Sequence, residues 1–571
     1  MRGELLVPLM PELTRAALRR ACAPLRIWWR SNWLYRRLLT GPLADHIVFH
    51  PWDALPRRLE DADSLLRGRF RFQGQAVDVP DGVSIFDVCP PGAAWLEAVH
   101  GFAWLSPLAA AGGENARRLA TNLIGQWIKR YDRYSEPAWL PHILAQRLAN
   151  IFVHGRLVIV NSEMTWRSRL FVSLREQCRM LERISGEAPD GLPRLETAAV
   201  LALSGVCLDD SPRRLETGLA RLEAEVERQI LPDGGHVSRS PEQLLSAYRH
   251  VAMVMEALAA VNAEPPHLLR NAHDRMATML RFFRHGDGAL ACFNGGAEND
   301  PRTVAGLLAR DPVNGQPFQH ARYSGYQRLS ASHTLVLLEC GRIPPGPFAL
   351  QAHAGACSFE MSSGNDRIVV NCGAGGHLHP TWDWAVRATA AHSTLTLADT
   401  SSAFILPAGF VRDLLGPRLM GGPREAQSRR VETSQGWSVE AWHDAYAEDF
   451  GVRHERQVTL SPQGLMVTGC DRLVPVDAKA AAERPARGRN FAVRFHIHPD
   501  VRVSRLEGGG ILLKLPGGEG WRFRAGGGAL EVEESVYLGG HLVRRAEQLV
   551  VSGVMKDSPA EIAWVFEQIV A

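Results

Sequence analysis

The stretches HTLVLLECG (333–341), ACSFEMSSG (356–364) and DRIVVNCG (366–373) decide the fold. Each is a strand-length run, rich in β-branched or aromatic side chains and closed by glycine, that alternates or stays apolar throughout. The texture continues in HSTLTLAD (392–399), HERQVTLSPQGLMVTGCDRL (454–473), FAVRFHIHPDVRVSRL (491–506), ILLKL (511–515) and EQLVVSGV (547–554), with turns at GEGW (518–521) and AGGGA (525–529). Many short strands joined by tight turns, with little helical period among them, predict a large antiparallel sandwich of stacked sheets.

Upstream the period changes. Segments 114–131, 142–158, 165–184, 194–206, 213–230 and 242–262 place apolar residues three and four apart, with Pro, Gly and Asp clusters between them. Repeated antiparallel helix pairs of this length predict an α/α barrel or toroid. RFRFQGQAVDVP (69–80) reads as a short hairpin. The texture shifts near 295–330, around Gly295–Gly296 and Pro317. The expected fold class is therefore α+β multidomain, an N-terminal (α/α) toroid followed by a C-terminal antiparallel β-sandwich. A basic helical arm is placed over 1–68, the toroid over 69–315 and the sandwich over 316–571.

At 571 residues the chain exceeds one ordinary core, and 46% hydrophobic with 22% charged residues exclude a disordered or fibrous class. A net charge of +3 tolerates a polyanionic partner without demanding one. The nine cysteines are scattered singly with no CxxC pair, which argues for buried thiols in a reducing compartment and against a disulfide framework or zinc ribbon. No apolar run is long enough to span a bilayer, and the N-terminus lacks the order of a secretory signal, so a cytoplasmic location is expected. No Walker A, GxSxG, HExxH or dinucleotide fingerprint occurs, and no nucleic-acid partner is expected.

Residues 14–40 carry Arg15, Arg19, Arg20, Arg26, Arg30, Arg36 and Arg37 with Trp28, Trp29, Trp33 and Tyr35 interleaved and no acid. Two readings stay open. The arm packs its tryptophans on the main body while arginine stems cover the rim, or it makes peripheral contact with an anionic membrane.

QAHAGACSFEMSSGNDRIVVNCG (351–373) and RATAAHSTL (387–395), with LPDGGHVSRSP (231–241), GRFRFQG (68–74) and the stretch around Trp139 and Arg147, resemble the heparinase II/III family of bacterial polysaccharide lyases. The likeness covers roughly residues 69–570. It implies β-elimination at a uronate of an acidic polysaccharide held in a groove between toroid and sandwich. That reaction needs a group neutralising the carboxylate and a Tyr or His acid and base. It also implies a divalent metal, zinc, in the β-domain and no organic cofactor. Because family members meet polysaccharide outside the cytoplasm, the cell envelope or periplasm is the alternative location.

Carried over by position, the resemblance makes His353 and His392 metal ligands, with Asn371 where the family has an aspartate. Gln351 stands where a catalytic histidine is expected, Gly355 replaces an aspartate, and Gln243 occupies the position of a tyrosine. Glutamine cannot shuttle a proton at neutral pH. The catalytic candidates are His236, Tyr248, Arg239, Gln351 and Arg387. Trp139, Arg147, Gln243, Tyr326, Trp382 and Trp384 are the candidates for substrate contact, and His353, Asn371 and His392 for a metal. Tyr323 is a further candidate for the cleft, His377 and His379 for a sugar-stacking loop with Trp382 and Trp384, His443, Asp444 and Tyr446 look like family landmarks, and Arg494, His496 and His498 share one face by period two, either a polar floor or a wet side. Each has a plain alternative as a packed or solvated residue. The rival function is a catalytically degenerate carbohydrate-binding relative acting in envelope or exopolysaccharide handling. A weaker rival is a glycoside hydrolase using Glu298 and Asp300.

Overall fold

The computed structural model describes residues 9–52, 59–80, 82–311, 313–375, 380–434, 436–476, 489–540, 542–555 and 560–569. Two compact units emerge, one of residues 10–229 and 246–273 and one built from 230–245 and everything from 274 onward. The second unit thus begins upstream of the boundary at 315/316. The turn at 230–240, with Ile230 bridged to His236, and the segment Arg284–Leu290 fold back as isolated bridges that the strand pattern does not signal.

The first unit is helical. Gly113–Arg130, Pro141–His154, Met164–Ile184, Leu192–Cys207 and Pro212–Gln229 follow one another through short connections, as the apolar spacing predicts. Leu192–Cys207 packs on both Pro141–His154 and Pro212–Gln229. Its contact with the latter is set by glycine: a Cβ on Gly218 would lie 2.3 Å from the Ala202 nitrogen, and one on Gly205 2.4 Å from that of Leu215. The hairpin at 69–80 is present, with Arg69–Phe72 paired to Gln75–Asp78. Gln73 and Gly74 both take positive φ, the two-residue turn whose twist suits a hairpin.

The arm forms the helices Met10–Ala21, Ala23–Ser31 and Trp33–Arg37. Arg30 pairs with Glu187 and Arg36 with Glu176 and Asp132, tying the arm inward. Leu18, Leu25, Trp28, Trp29, Trp33, Leu34 and Leu38 are exposed, as are Arg15, Arg19, Arg20 and Arg37. The tryptophans therefore do not pack on the body as the first reading of the arm expected.

The second unit is the sandwich. One sheet of eight strands runs Ala426–Thr433, Gly436–His443, Val452–Leu460, Met466–Pro475, Ala560–Ile569, Gly520–Gly526, Ile511–Lys514 and Arg502–Arg505 in spatial order. The other orders Ala529–Tyr537, Arg544–Val554, Asn490–Ile497, Asp366–Val370, Phe359–Ser363, Thr334–Glu339, Tyr326–Ala331 and His320–Ala321, with Leu395–Leu397 also pairing Asn490–Ile497. Every ladder is antiparallel. Val336, Phe359, Ile368 and Phe495 from one sheet meet Val439, Val458, Leu473, Trp564 and Phe566 from the other in a common core.

Candidate functional site

The strand pair Phe359–Ser363 and Asp366–Val370 carries the chain into Asn371, while the segments around 353 and 392 lie against its end. His353 and His392 are buried and meet each other, Nδ1 to Nε2 at 3.2 Å with rings edge to face. His392 Nδ1 bonds the Ala388 carbonyl at 2.9 Å. Burial pulls the imidazole of His392 down to about 4, and that of His353 well below its usual value, with His392 and Arg387 adding to the effect. Both rings are therefore neutral at pH 7.

Asn371 does not complete a metal site with them. Its Oδ1 accepts from the Ser393 N–H at 3.1 Å, and its amide donates to Glu360 at 3.3 Å. Among the described residues no Cys, Asp or Glu joins His353 and His392 in a three-membered ligand cluster. Without an anionic ligand, and with the Asn371 amide oxygen already accepting from the Ser393 N–H, this set does not fit the zinc site that the resemblance implies.

The turn 231–240 supplies the next group. Asp233 caps it by accepting from the backbone N–H groups of Tyr323 and Ser324 at 2.8 and 2.7 Å. His236 is 1% exposed, with Nδ1 2.6 Å from Ser238 Oγ, and burial takes it down to about 3. It is a closed-in imidazole, not one presented on an open turn. Arg239 adopts φ +61° and donates to the carbonyls of Ser324, Arg342 and Gly325. It also pairs with buried Glu339 at 3.0 Å and lies over the Tyr326 ring. Tyr326 is fully buried and donates to the Arg239 carbonyl at 2.7 Å. Arg239 and Tyr326 brace this unit, which corrects their assignment to carboxylate and sugar binding.

Gln243 and Gln351 stand at the positions of a tyrosine and a histidine in the resemblance, and the structure joins them: Gln243 Nε2 donates to Gln351 Oε1 at 2.9 Å. Neither amide can exchange a proton at neutral pH. The two side chains are joined by a neutral hydrogen bond.

Arg387, the other cation proposed for the carboxylate, is 3% exposed and donates to the carbonyls of Ala352, Pro417 and Ala349. Burial lowers it to about 10. Trp384 is exposed and Trp382 half-buried, while His377 and His379 lie outside the described residues. Trp382 lines a cavity of about 560 Å³ with His496, Glu534, Ser535, Arg545 and Gln548. His496, in the strand Asn490–Ile497, and His498, directly after it, are buried, so neither stands on a wet face.

In the helical unit, Tyr248 is completely buried and stacks on His273 at 4.8 Å. Trp139 and Arg147 are core residues. Arg147 is fully buried, lies 4.0 Å over the Trp127 ring, and donates to Gln177 and to the His100 and Ala138 carbonyls. The Trp139 indole also donates inward, to the Tyr131 carbonyl. Sequence reading missed a cluster here: Ser246 Oγ donates to Glu196 at 2.6 Å, with His250 3.6 Å from the same carboxylate. Ser246 and His250 stand four apart on one helix, a signal that could have found it.

Also missed is a buried network in the sandwich unit. His285 contacts Glu360 at 3.1 Å, Arg367 pairs with Asp287 at 2.8 Å, and Tyr537 donates to Glu298 at 2.5 Å. Glu298, the hydrolase candidate, is thus bound to Tyr537 and near His498, while Asp300 caps the helix Pro301–Leu308.

A helical toroid followed by an antiparallel sandwich, with a histidine pair at the opening strands, defines a polysaccharide-lyase-like class of protein. The description "Heparinase II/III-like, C-terminal" matches residues 314–565. FtsZ-localized protein C of Caulobacter vibrioides (strain NA1000 / CB15N) is 30% identical over 547 residues, covering 94% of this chain and 92% of that protein. The chain belongs to the heparinase II/III-like family. Among solved structures, a heparinase III superposes with a TM-score of 0.68 at 14% identity over 98% of this chain and 92% of that one. Heparan sulfate lyase HepC from Pedobacter heparinus, as a mutant, gives 0.57 at 16% identity over 94% and 87%. These structures share the fold. No described helix is long and apolar enough to cross a membrane.

Proposed function

We propose that this chain is a non-cleaving member of its family, a binding protein that keeps the lyase scaffold and, like its Caulobacter relative, localises with FtsZ. The Gln243–Gln351 hydrogen bond carries the reading: it joins two groups without a usable proton, at the positions where the family resemblance expects an acid and a base. The internal engagement of Arg239 and Arg387 supports it, because neither cation is left to neutralise a uronate. Incubation with heparan sulfate, hyaluronan, alginate and bacterial exopolysaccharides is expected to give no ultraviolet absorbance of unsaturated uronate, and the chain is expected to sediment with FtsZ polymers. Rising absorbance that disappears in Gln351→Ala would overturn the silent reading; failure to sediment would remove the FtsZ association.

The arm supports a membrane-surface role. Its outward side combines Leu18, Leu25, Trp28, Trp29 and Trp33 with exposed arginines, the composition of a helix that lies in the headgroup region. Each arginine near an anionic surface contributes about 1 kcal/mol. Flotation with phosphatidylglycerol vesicles is expected to recover the protein, and the variant with Trp28, Trp29 and Trp33 changed to Ser to bind at least tenfold more weakly. Equal flotation of the two proteins would refute the arm's role.

A further inference from the structure

We propose that Cys357, His443 and His454 form a zinc site inside the sandwich, distinct from the His353–His392 pair. His443 and His454 are direct cross-strand partners in the eight-stranded sheet, and both are buried. His443 Nε2 and His454 Nδ1 stand 3.1 Å apart. Two imidazoles on one tetrahedral zinc, with Zn–N of about 2.0–2.1 Å, place their nitrogens at about 3.3 Å, so the pair needs almost no movement. Cys357 comes from the chain just before Phe359–Ser363 in the facing sheet, and its sulfur and one nitrogen of each ring all lie within 4.8 Å of one another. Its backbone sits at φ +60°, a conformation rare for a side chain other than glycine.

The surroundings supply what a metal-bound histidine requires. His454 Nε2 is 2.6 Å from Asp471 Oδ1, an arrangement that keeps the ring proton on Nε2 and leaves the Nδ1 lone pair for the ion. Asp471 is held in turn by Arg456 through Nε at 2.8 Å and Nη2 at 3.0 Å, and by Trp564 Nε1 at 2.9 Å. Arg456 Nη1 is occupied by the carbonyls of Cys357 and Ser393. The thiolate provides one negative charge toward the dication, while the Asp471 carboxylate, balanced by Arg456, orients the His454 ring, in a core that also contains Phe359, Val439 and Trp564. Binding releases the Cys357 thiol proton and moves the His443 ring proton from Nε2 to Nδ1, giving up one weak contact, the Ala445 N–H at 3.3 Å. One sulfur and two nitrogen ligands suit a borderline-soft ion such as zinc, which here would clamp the two sheets together.

The test uses the full chain, purified after growth with zinc or cobalt. The wild type is expected to carry about one zinc per chain by elemental analysis, with one sulfur and two imidazole scatterers at the zinc absorption edge. The cobalt form is expected to show a thiolate-to-cobalt charge-transfer band. Cys357→Ser should lose that band and weaken zinc binding at least tenfold, while His392→Gln should keep both. A substoichiometric wild type, a metal shell without sulfur, a cobalt form without the band, or a band surviving in Cys357→Ser would each overturn the proposal. The absorption-edge measurement decides it even if the cysteine variant fails to fold.

Discussion

Glu298 shows how a single residue changes meaning with its setting. Burial raises its affinity for a proton, yet His498, Arg367 and Tyr537 outweigh that and hold its carboxyl at about 2, against a usual 4.5. Because the folded value is depressed, its stabilisation is complete above pH 4.5 and is lost as the pH falls from there through 2. Its size is on the order of 1–3 kcal/mol, allowing for partial exposure. Glu298→Gln is therefore expected to lower stability at neutral pH and to flatten the acid limb over that window; urea unfolding at a series of pH values measures both. An unchanged limb would show that the network does not depend on this charge. Arg147, Arg239 and Arg387 teach the complementary lesson. As letters they are cations suited to a carboxylate, but each is spent on backbone carbonyls inside its own unit. Which acceptors surround a guanidinium is set by residues far away in sequence, so their roles could not be read from spacing.

At the scale of elements, the helix pair Leu192–Cys207 and Pro212–Gln229 depends on absent side chains. A Cβ at Gly218 falls 2.3 Å from backbone of the facing helix, and rigid backbone cannot yield as a flexible side chain would. Gly218→Ala is expected to destabilise by about 1–3 kcal/mol despite alanine's better helix propensity, read as a lower midpoint in chemical denaturation. A stabilised variant would mean that the helices can separate freely. The strands behave differently, because the alternation that placed them in the sequence also chose which side chains face the core. His496 and His498 are the exception. His496 lies in the strand Asn490–Ile497, within its sheet between Arg544–Val554 and Asp366–Val370, His498 follows directly after it, and both side chains are buried.

Across the whole molecule, the order of helices then strands was legible because each element's period reports one buried side, and summed over many elements that signal is strong. The family was legible because 351–395 keeps its landmarks. The amino-acid sequence by itself determined the toroid-and-sandwich architecture and the hairpin at 69–80. Tertiary structure alone decided that Gln243 bonds Gln351, that the candidate arginines are internal braces, and that Cys357 meets His443 and His454 across two sheets. The physical reason is distance along the chain. Periodicity is local, whereas a hydrogen bond or ligand set joining residues some hundred positions apart exists only once the sheets have paired and packed.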